Sequence, residues 1–132
     1  VADNVPFVVN DGESTPVAHT FSPLGVDRRN GRNLYANFDQ TYAIGRETVE
    51  FGLTTSQKVR TVPVTMKVPR VVVETINGVA VPKVADYGLF KGECIVPLTW
   101  TDQEAKNLHV LASGVLNSTP VAAAIESGEN PW

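Results

Sequence analysis

Cysteine is nearly absent from this 132-residue chain: Cys94 stands alone. No intramolecular disulfide can form, which excludes a disulfide-stapled secreted scaffold and makes a reducing cytosol the expected home. A basic excess is missing too. Eleven Lys and Arg against fourteen Asp and Glu give a net charge of −3, whereas dedicated nucleic-acid binders carry a pronounced positive surplus. Any polyanion must therefore meet a local patch. No apolar run approaches the roughly 20 residues of a membrane-spanning helix, and no charged-then-apolar leader is expected. Glycine-rich phosphate loops are lacking, and neither His19 nor His109 has a Cys, His or carboxylate at metal-ligand spacing. No catalytic residue, metal or cofactor is expected.

What is present is an ordinary globular composition, 42% hydrophobic and 19% charged. The length fits a single domain over residues 1–132. Val5, Phe7 and Val9 alternate, Asn10-Asp11-Gly12 turns, and Val17 to Phe21 resumes, which predicts a hairpin over about 5–21. Leu34, Ala36 and Phe38 alternate next. Val49, Phe51 and Leu53 then oppose Thr48, Glu50, Gly52 and Thr54, so one face is core and the other wet. Thr55 to Thr61 reads as a polar connection, and Pro63 sets the start of the following strand near Val64 or a bulge there. A sheet over about 34–98 is expected, ending in a strand that puts Phe90, Cys94, Val96 and Leu98 opposite Lys91 and Glu93. At that place Cys94 is inert packing.

Between the last two strands lies VPRVVVETINGVAVPKVA, residues 68–85. Its Asn77-Gly78 pair has the chemistry of a two-residue hairpin turn. Two apolar arms therefore project from the sheet, an odd place for Val71, Val72, Val73, Ile76, Val79 and Val81.

Helices are predicted only over about 102–127. Thr101-Asp102-Gln103-Glu104 is a capping box, and Ala105, Leu108, Leu111, Ala112, Val115 and Leu116 form one apolar stripe. Asp102 and Glu104 sit where acids favour a helix N-terminus, so capping accounts for them. Thr119 offers a second N-cap with Pro120 at the first helical position and Gly128 as the stop. Strands followed by helices, without βαβ alternation, predict an α+β fold with an antiparallel sheet and helices on one face. The other face is polar. Thr54, Thr65, Lys67 and Lys91 share it with the connection residues Lys58 and Arg60, a set able to contact phosphates, while Glu50 and Glu93 weaken it.

The run at 68–85, ECIVPLTW at 93–100, GVLNSTPVAAAI at 114–125 and a final aromatic resemble the coat protein of small single-stranded RNA bacteriophages, the levivirus family. The likeness runs without gaps from about Val68 to Leu116 and resumes at Pro120; the N-terminal third, including HTFSP at 19–23, matches in layout. This resemblance implies a five-stranded antiparallel sheet with an N-terminal hairpin and two C-terminal helices, interlocked as an obligate homodimer. Dimers would close an icosahedral T=3 shell around genomic RNA, in the cytoplasm of a bacterial host, with a maturation protein as a further partner and no membrane involved.

The resemblance also implies site roles. Val71, Val73, Thr75, Ile76, Asn77, Gly78, Val79 and Pro82 fall in the loop through which dimers meet in the shell. Phe90, Leu108, Leu111, Ala112 and Val115 fall in the dimer interface. An RNA operator hairpin, bound for translational repression and packaging, would meet Thr54, Lys58, Arg60, Thr65, Lys67, Leu89 and Lys91. Here the pattern departs from the family: its base-stacking tyrosine appears as Leu89, its polar reader as Lys91, a threonine of the adjacent strand as Pro63 and a lysine as Thr65. General RNA affinity is expected; the best-known hairpin specificity is not, since Leu89 offers no aromatic platform.

Overall fold

A computed structural model describes residues 5–130, so the final aromatic, Trp132, lies outside the described residues. The chain forms two compact units, one from Val1–Thr54 with Thr61–Glu93, the other from Thr55–Arg60 with Cys94–Trp132.

In the first unit, β1 (Phe7–Asn10) and β2 (Ala18–Asp27) pair antiparallel, from Phe7 opposite Phe21 to Asn10 opposite Ala18. The Asp11 carboxylate closes the turn by accepting from the Glu13 and Val17 N–H groups at 3.2 and 2.9 Å. β2 then pairs with β3 (Arg32–Ala36), and the register slips between Pro23 and Gly25. Leu24 is the extra residue of this bulge; Gly25 beside it takes φ 127, where a side chain would be strained. β4 (Thr48–Phe51) joins β3 to β6 (Val59–Ile76), the two-residue β5 (Thr54–Thr55) pairs farther along β6, and β7 (Val79–Pro97) also pairs with β6.

The sheet thus has seven strands rather than the five expected. The N-terminal hairpin is part of it, because β2 is long enough to pair with both β1 and β3.

Aromatic rings hold the core of this unit. Phe7 stacks on Phe21 at 5.3 Å and tilts against Tyr35 at 5.0 Å, and Tyr35 stacks on Phe51 at 5.6 Å. Each pair adds about 0.5–1.5 kcal/mol to the burial of its rings. Tyr35, rather than Leu34 and Phe38, therefore carries the apolar face of β3. Phe38 has left the strand, 43% exposed with the Arg46 guanidinium 4.6 Å above its ring, and Leu53 lies beyond the end of β4 and is exposed too.

Pro63 corrects a further expectation: β6 runs straight through it from Val59. Its carbonyl accepts from the Gly52 N–H at 3.2 Å. In extended backbone the nitrogen points to the same side, so the missing donor faces the break between β4 and β5, where the ladder is already interrupted.

At the far end, Asn77 (φ 51) and Gly78 (φ 77) make the two-residue turn. Positive φ at both positions matches the right-handed twist of the strands they join.

In the second unit, the Leu98 N–H donates to the Lys58 carbonyl at 3.0 Å, and α1 (Asp102–Leu116) begins four residues later. Its capping box forms as expected: the Glu104 N–H donates to Thr101 Oγ1 at 3.3 Å, and the Thr101 N–H to Glu104 Oε1 at 3.2 Å. α2 (Thr119–Ser127) starts one residue earlier than expected, with Ser118 in the capping place and Pro120 following Thr119. The Ser118 hydroxyl donates to the Val115 carbonyl at 2.6 Å, so it closes the end of α1 instead of capping α2. Gly128, at φ 68, ends α2 as its sequence position predicts.

Candidate nucleic-acid interface and assembly surfaces

The cross-strand register sorts the sheet into two faces. Thr48 lies opposite Lys67 and Glu50 opposite Thr65, while Val49 faces Met66 and Phe51 faces Val64. Alternation then puts Thr48, Glu50, Thr65 and Lys67 on the face away from the aromatic core. Ala36 opposite Thr48, and Leu34 opposite Glu50, extend that face onto β3. From β7 the same face receives Tyr87, whose ring lies 4.3 Å from the Lys67 ammonium. Residues at intervals of two along β7 follow it: Leu89, Lys91 and Glu93.

Of the residues expected to contact RNA, Thr65, Lys67, Leu89 and Lys91 therefore come together on one face. Thr54 opens β5 and is exposed. Lys58, exposed, and Arg60, half-buried, belong to the second unit.

Two residues of this face are not in the expected set. Arg32 opens β3, donates from Nη1 to Glu50 Oε1 at 2.8 Å, and lies so close over Gly52 that a Cβ there would sit 3.1 Å from its Cγ. Tyr87 is 56% exposed, an aromatic ring in water beside a cation. Counting back by two from Lys91 would have found it; Arg32 has no such signal, because the Asn30-Gly31 turn before it reads simply as loop.

Between β3, β6 and β7 this face opens into a groove of about 310 Å³, lined by Arg32, Pro63, Val64, Thr65, Lys91, Gly92 and Glu93. Arg70 and Asp86 form a bidentate pair at 2.8 and 2.7 Å, but both are well exposed, so the pair adds little stability.

A polar cluster ties the N-terminal hairpin to the segment before β4. His19 Nδ1 bonds Glu47 at 2.5 Å and Nε2 bonds Asp11 at 2.9 Å, while the buried Asn37 amide donates to Glu47 at 3.0 Å. Hydrogen bonds to Asp11 and then Glu47 raise the His19 pKa above its ordinary value. The Val17 N–H, and then His19, lower that of Asp11. Sequence spacing could not reveal this cluster, because its members come from four separated segments.

The expected assembly loop is the tip of the β6–β7 hairpin. Val73, Thr75, Ile76, Asn77, Gly78 and Val79 are exposed there and Pro82 is half-buried. Val71 differs from expectation: it is half-buried, because the short 3-10 turn Ala43–Gly45 packs on it. Gly45 approaches so closely that a Cβ on it would lie 2.8 Å from Val71 Cγ2.

Among the expected dimer residues, Leu111 and Val115 are 67% and 58% exposed, Ala112 is exposed, Leu108 is half-buried, and Phe90 is 36% exposed on its strand. Neither helix buries a single residue. The chain exposes 10072 Å², against about 6,800 Å² for a folded monomer of its 14.2 kDa.

The chain thus combines an antiparallel sheet, polar on one side and aromatic on the other, with two helices whose apolar stripes are uncovered. Solved structures share this fold along nearly its whole length. The virus-like particle of bacteriophage ESE058 superposes with a TM-score of 0.89 at 24% identity, covering 99% of this chain and 100% of that one. The virus-like particle of bacteriophage NT-214 gives 0.87 at 24% identity with the same coverage, and the bacteriophage GA protein capsid gives 0.79 at 20%, covering 98% of each. The chain belongs to the Levivirus coat protein family, whose model matches residues 3–132. No curated protein matches the sequence.

Proposed function

We propose that this chain is the major capsid protein of a single-stranded RNA bacteriophage, assembling as homodimers into an icosahedral shell around the genome. The observation that carries the reading is the uncovered apolar surface. Large apolar side chains such as Leu111, Val115 and Ile125 lie exposed on the helices, and some 3,000 Å² more total surface per chain is exposed than a self-sufficient monomer of this mass leaves in water, enough for the interface of an obligate dimer. Leu108, Leu111, Ala112 and Val115, with Phe90, are the residues we assign to that interface. The hairpin residues 71–82 join one dimer to the next. Residues 1–132 act as one coat-protein domain, since β6 and β7 each contribute residues to both units.

The polar face lines the shell and meets RNA. Lys67, Lys91, Arg60 and Lys58 supply charge-assisted contacts to phosphate, and Thr54 and Thr65 neutral ones. Leu89 supplies apolar contact only. Tyr87, two residues before it on the same face, gives the stacking surface that Leu89 lacks, and with Lys67 beside it takes an unpaired base. The dimer binds a hairpin of its own genome in this way, repressing translation and marking the RNA for packaging; a maturation protein completes the virion. Assembly takes place in the cytoplasm of the bacterial host.

Expression of the protein alone followed by size-exclusion chromatography and electron microscopy tests the assembly. Megadalton particles containing RNA are expected, and a stable monomer in native buffer would overturn the reading. For RNA, binding should weaken steeply with salt; equal affinity at all salt concentrations would remove the phosphate-contact role.

A further inference from the structure

The carboxylates on the polar face look misplaced where phosphates pass, yet they differ in what they do. Glu50 is occupied: it holds the Arg32 guanidinium at 2.8 Å. Glu93 is exposed, and its carboxylate makes no hydrogen bond or ion pair among the described residues. It lines the 310 Å³ groove together with Arg32 and Lys91. Gly52 has no side chain, so the Arg32 stem lies close over it at the end of β4. One wall of the groove thus offers an unpaired double acceptor, and two others offer N–H donors.

We propose that this groove is a base-reading site for an unpaired guanine, with Glu93 as its specificity-determining residue. The proposal rests on the RNA-binding reading above and names the nucleotide. A carboxylate has two oxygens to satisfy, and guanine is the base that presents two adjacent donors, N1–H and the N2 amine, on one edge. Its O6 and N7 are acceptors of the kind that arginine and lysine favour. Uracil offers one donor and no amine, and hypoxanthine lacks the 2-amino group. A free carboxylate in a cationic groove also repels phosphate, so it weakens binding of RNA that has no base to satisfy it. Discrimination arises from both effects together.

The test uses the full-length protein in unassembled form and fluorescence anisotropy with U-rich oligoribonucleotides carrying a central guanosine, inosine, adenosine or uridine. Guanosine should bind about 5- to 100-fold more tightly than uridine, the range of one good bidentate contact, with inosine between them. Glu93→Gln should collapse that ratio towards one while the all-uridine oligomer binds as tightly as before or tighter. Glu126→Gln, on α2, should leave the ratio unchanged. If the all-uridine oligomer binds in a salt-dependent manner but guanosine gains nothing, the base-reading site is overturned and general RNA binding stands. A Glu93→Gln protein that keeps the preference overturns the role of Glu93. If no oligomer binds even at low salt, this proposal and the RNA reading fall together.

Discussion

Gly45→Ala isolates the contact that seats the 3-10 turn on the foot of the assembly hairpin. The new Cβ would lie 2.8 Å from Val71 Cγ2 and 3.9 Å from Val71 Cβ, where carbon atoms ordinarily rest at about 3.5–4.0 Å. Gly45 does not use the positive-φ region, so alanine suits the backbone and gains about 0.4–1 kcal/mol by restricting the unfolded chain. Overpacking at a buried position costs about 1–3 kcal/mol, leaving the single variant about 1–2 kcal/mol less stable. Val71→Ala removes the obstructing methyl groups, so the same glycine substitution made in that background should be neutral or slightly stabilising. The coupling energy of the cycle is then the overpacking cost itself, about 1–3 kcal/mol, well above the roughly 0.3–0.5 kcal/mol scatter of independent sites. Urea unfolding of the four full-length proteins in unassembled form measures it. An additive cycle, or a Gly45→Ala protein as stable as the parent, would refute the close packing of the turn against the hairpin.

Stability should depend on pH through His19. Its raised pKa contributes stability that is complete below about 6.5 and is lost as pH rises through the folded value, while the lowered pKa of Asp11 contributes stability lost as pH falls below about 3.8. Thermal melts should therefore be highest in mildly acidic buffer, and His19→Gln should flatten the decline on the alkaline side. Thr101→Ala removes one arm of the capping box and should cost about 0.5–2 kcal/mol, read by circular dichroism during denaturation. Leu111→Asp with Val115→Asp should yield species that sediment below dimer size, and dimers that persist would remove these residues from the interface. Lys67→Ala should lower the slope of log affinity against log salt by about one if Lys67 neutralises one phosphate.

Much of this architecture was legible in the chain because it rests on short-range chemistry. Asn77-Gly78 and Thr101 with Glu104 act on neighbouring backbone, and both stand where the residues put them. The period of two in β4 correctly separated Val49 and Phe51 from Thr48 and Glu50. Long-range pairing decided what was missed. Which face of β3 is buried depends on ring contacts that Tyr35 makes with Phe7 and Phe51, far away in sequence. Arg32 and Lys91 share a groove through strands whose order periodicity does not specify. Ser118 showed a different problem: two neighbouring hydroxyl residues could each cap a helix, and the Ser118 hydroxyl turned back to the Val115 carbonyl at the end of α1.

Pro63 has a wider consequence. Adjacent strands tend to zip along their whole length, and β4 and β5 already lie on the same neighbour with only Gly52 and Leu53 between them. A residue with an N–H at position 63 would supply the donor that lets that seam close. The imino acid acts as a permanent stop in the zipper, so the break between β4 and β5 is set by main-chain chemistry and withstands drift in the side chains around it.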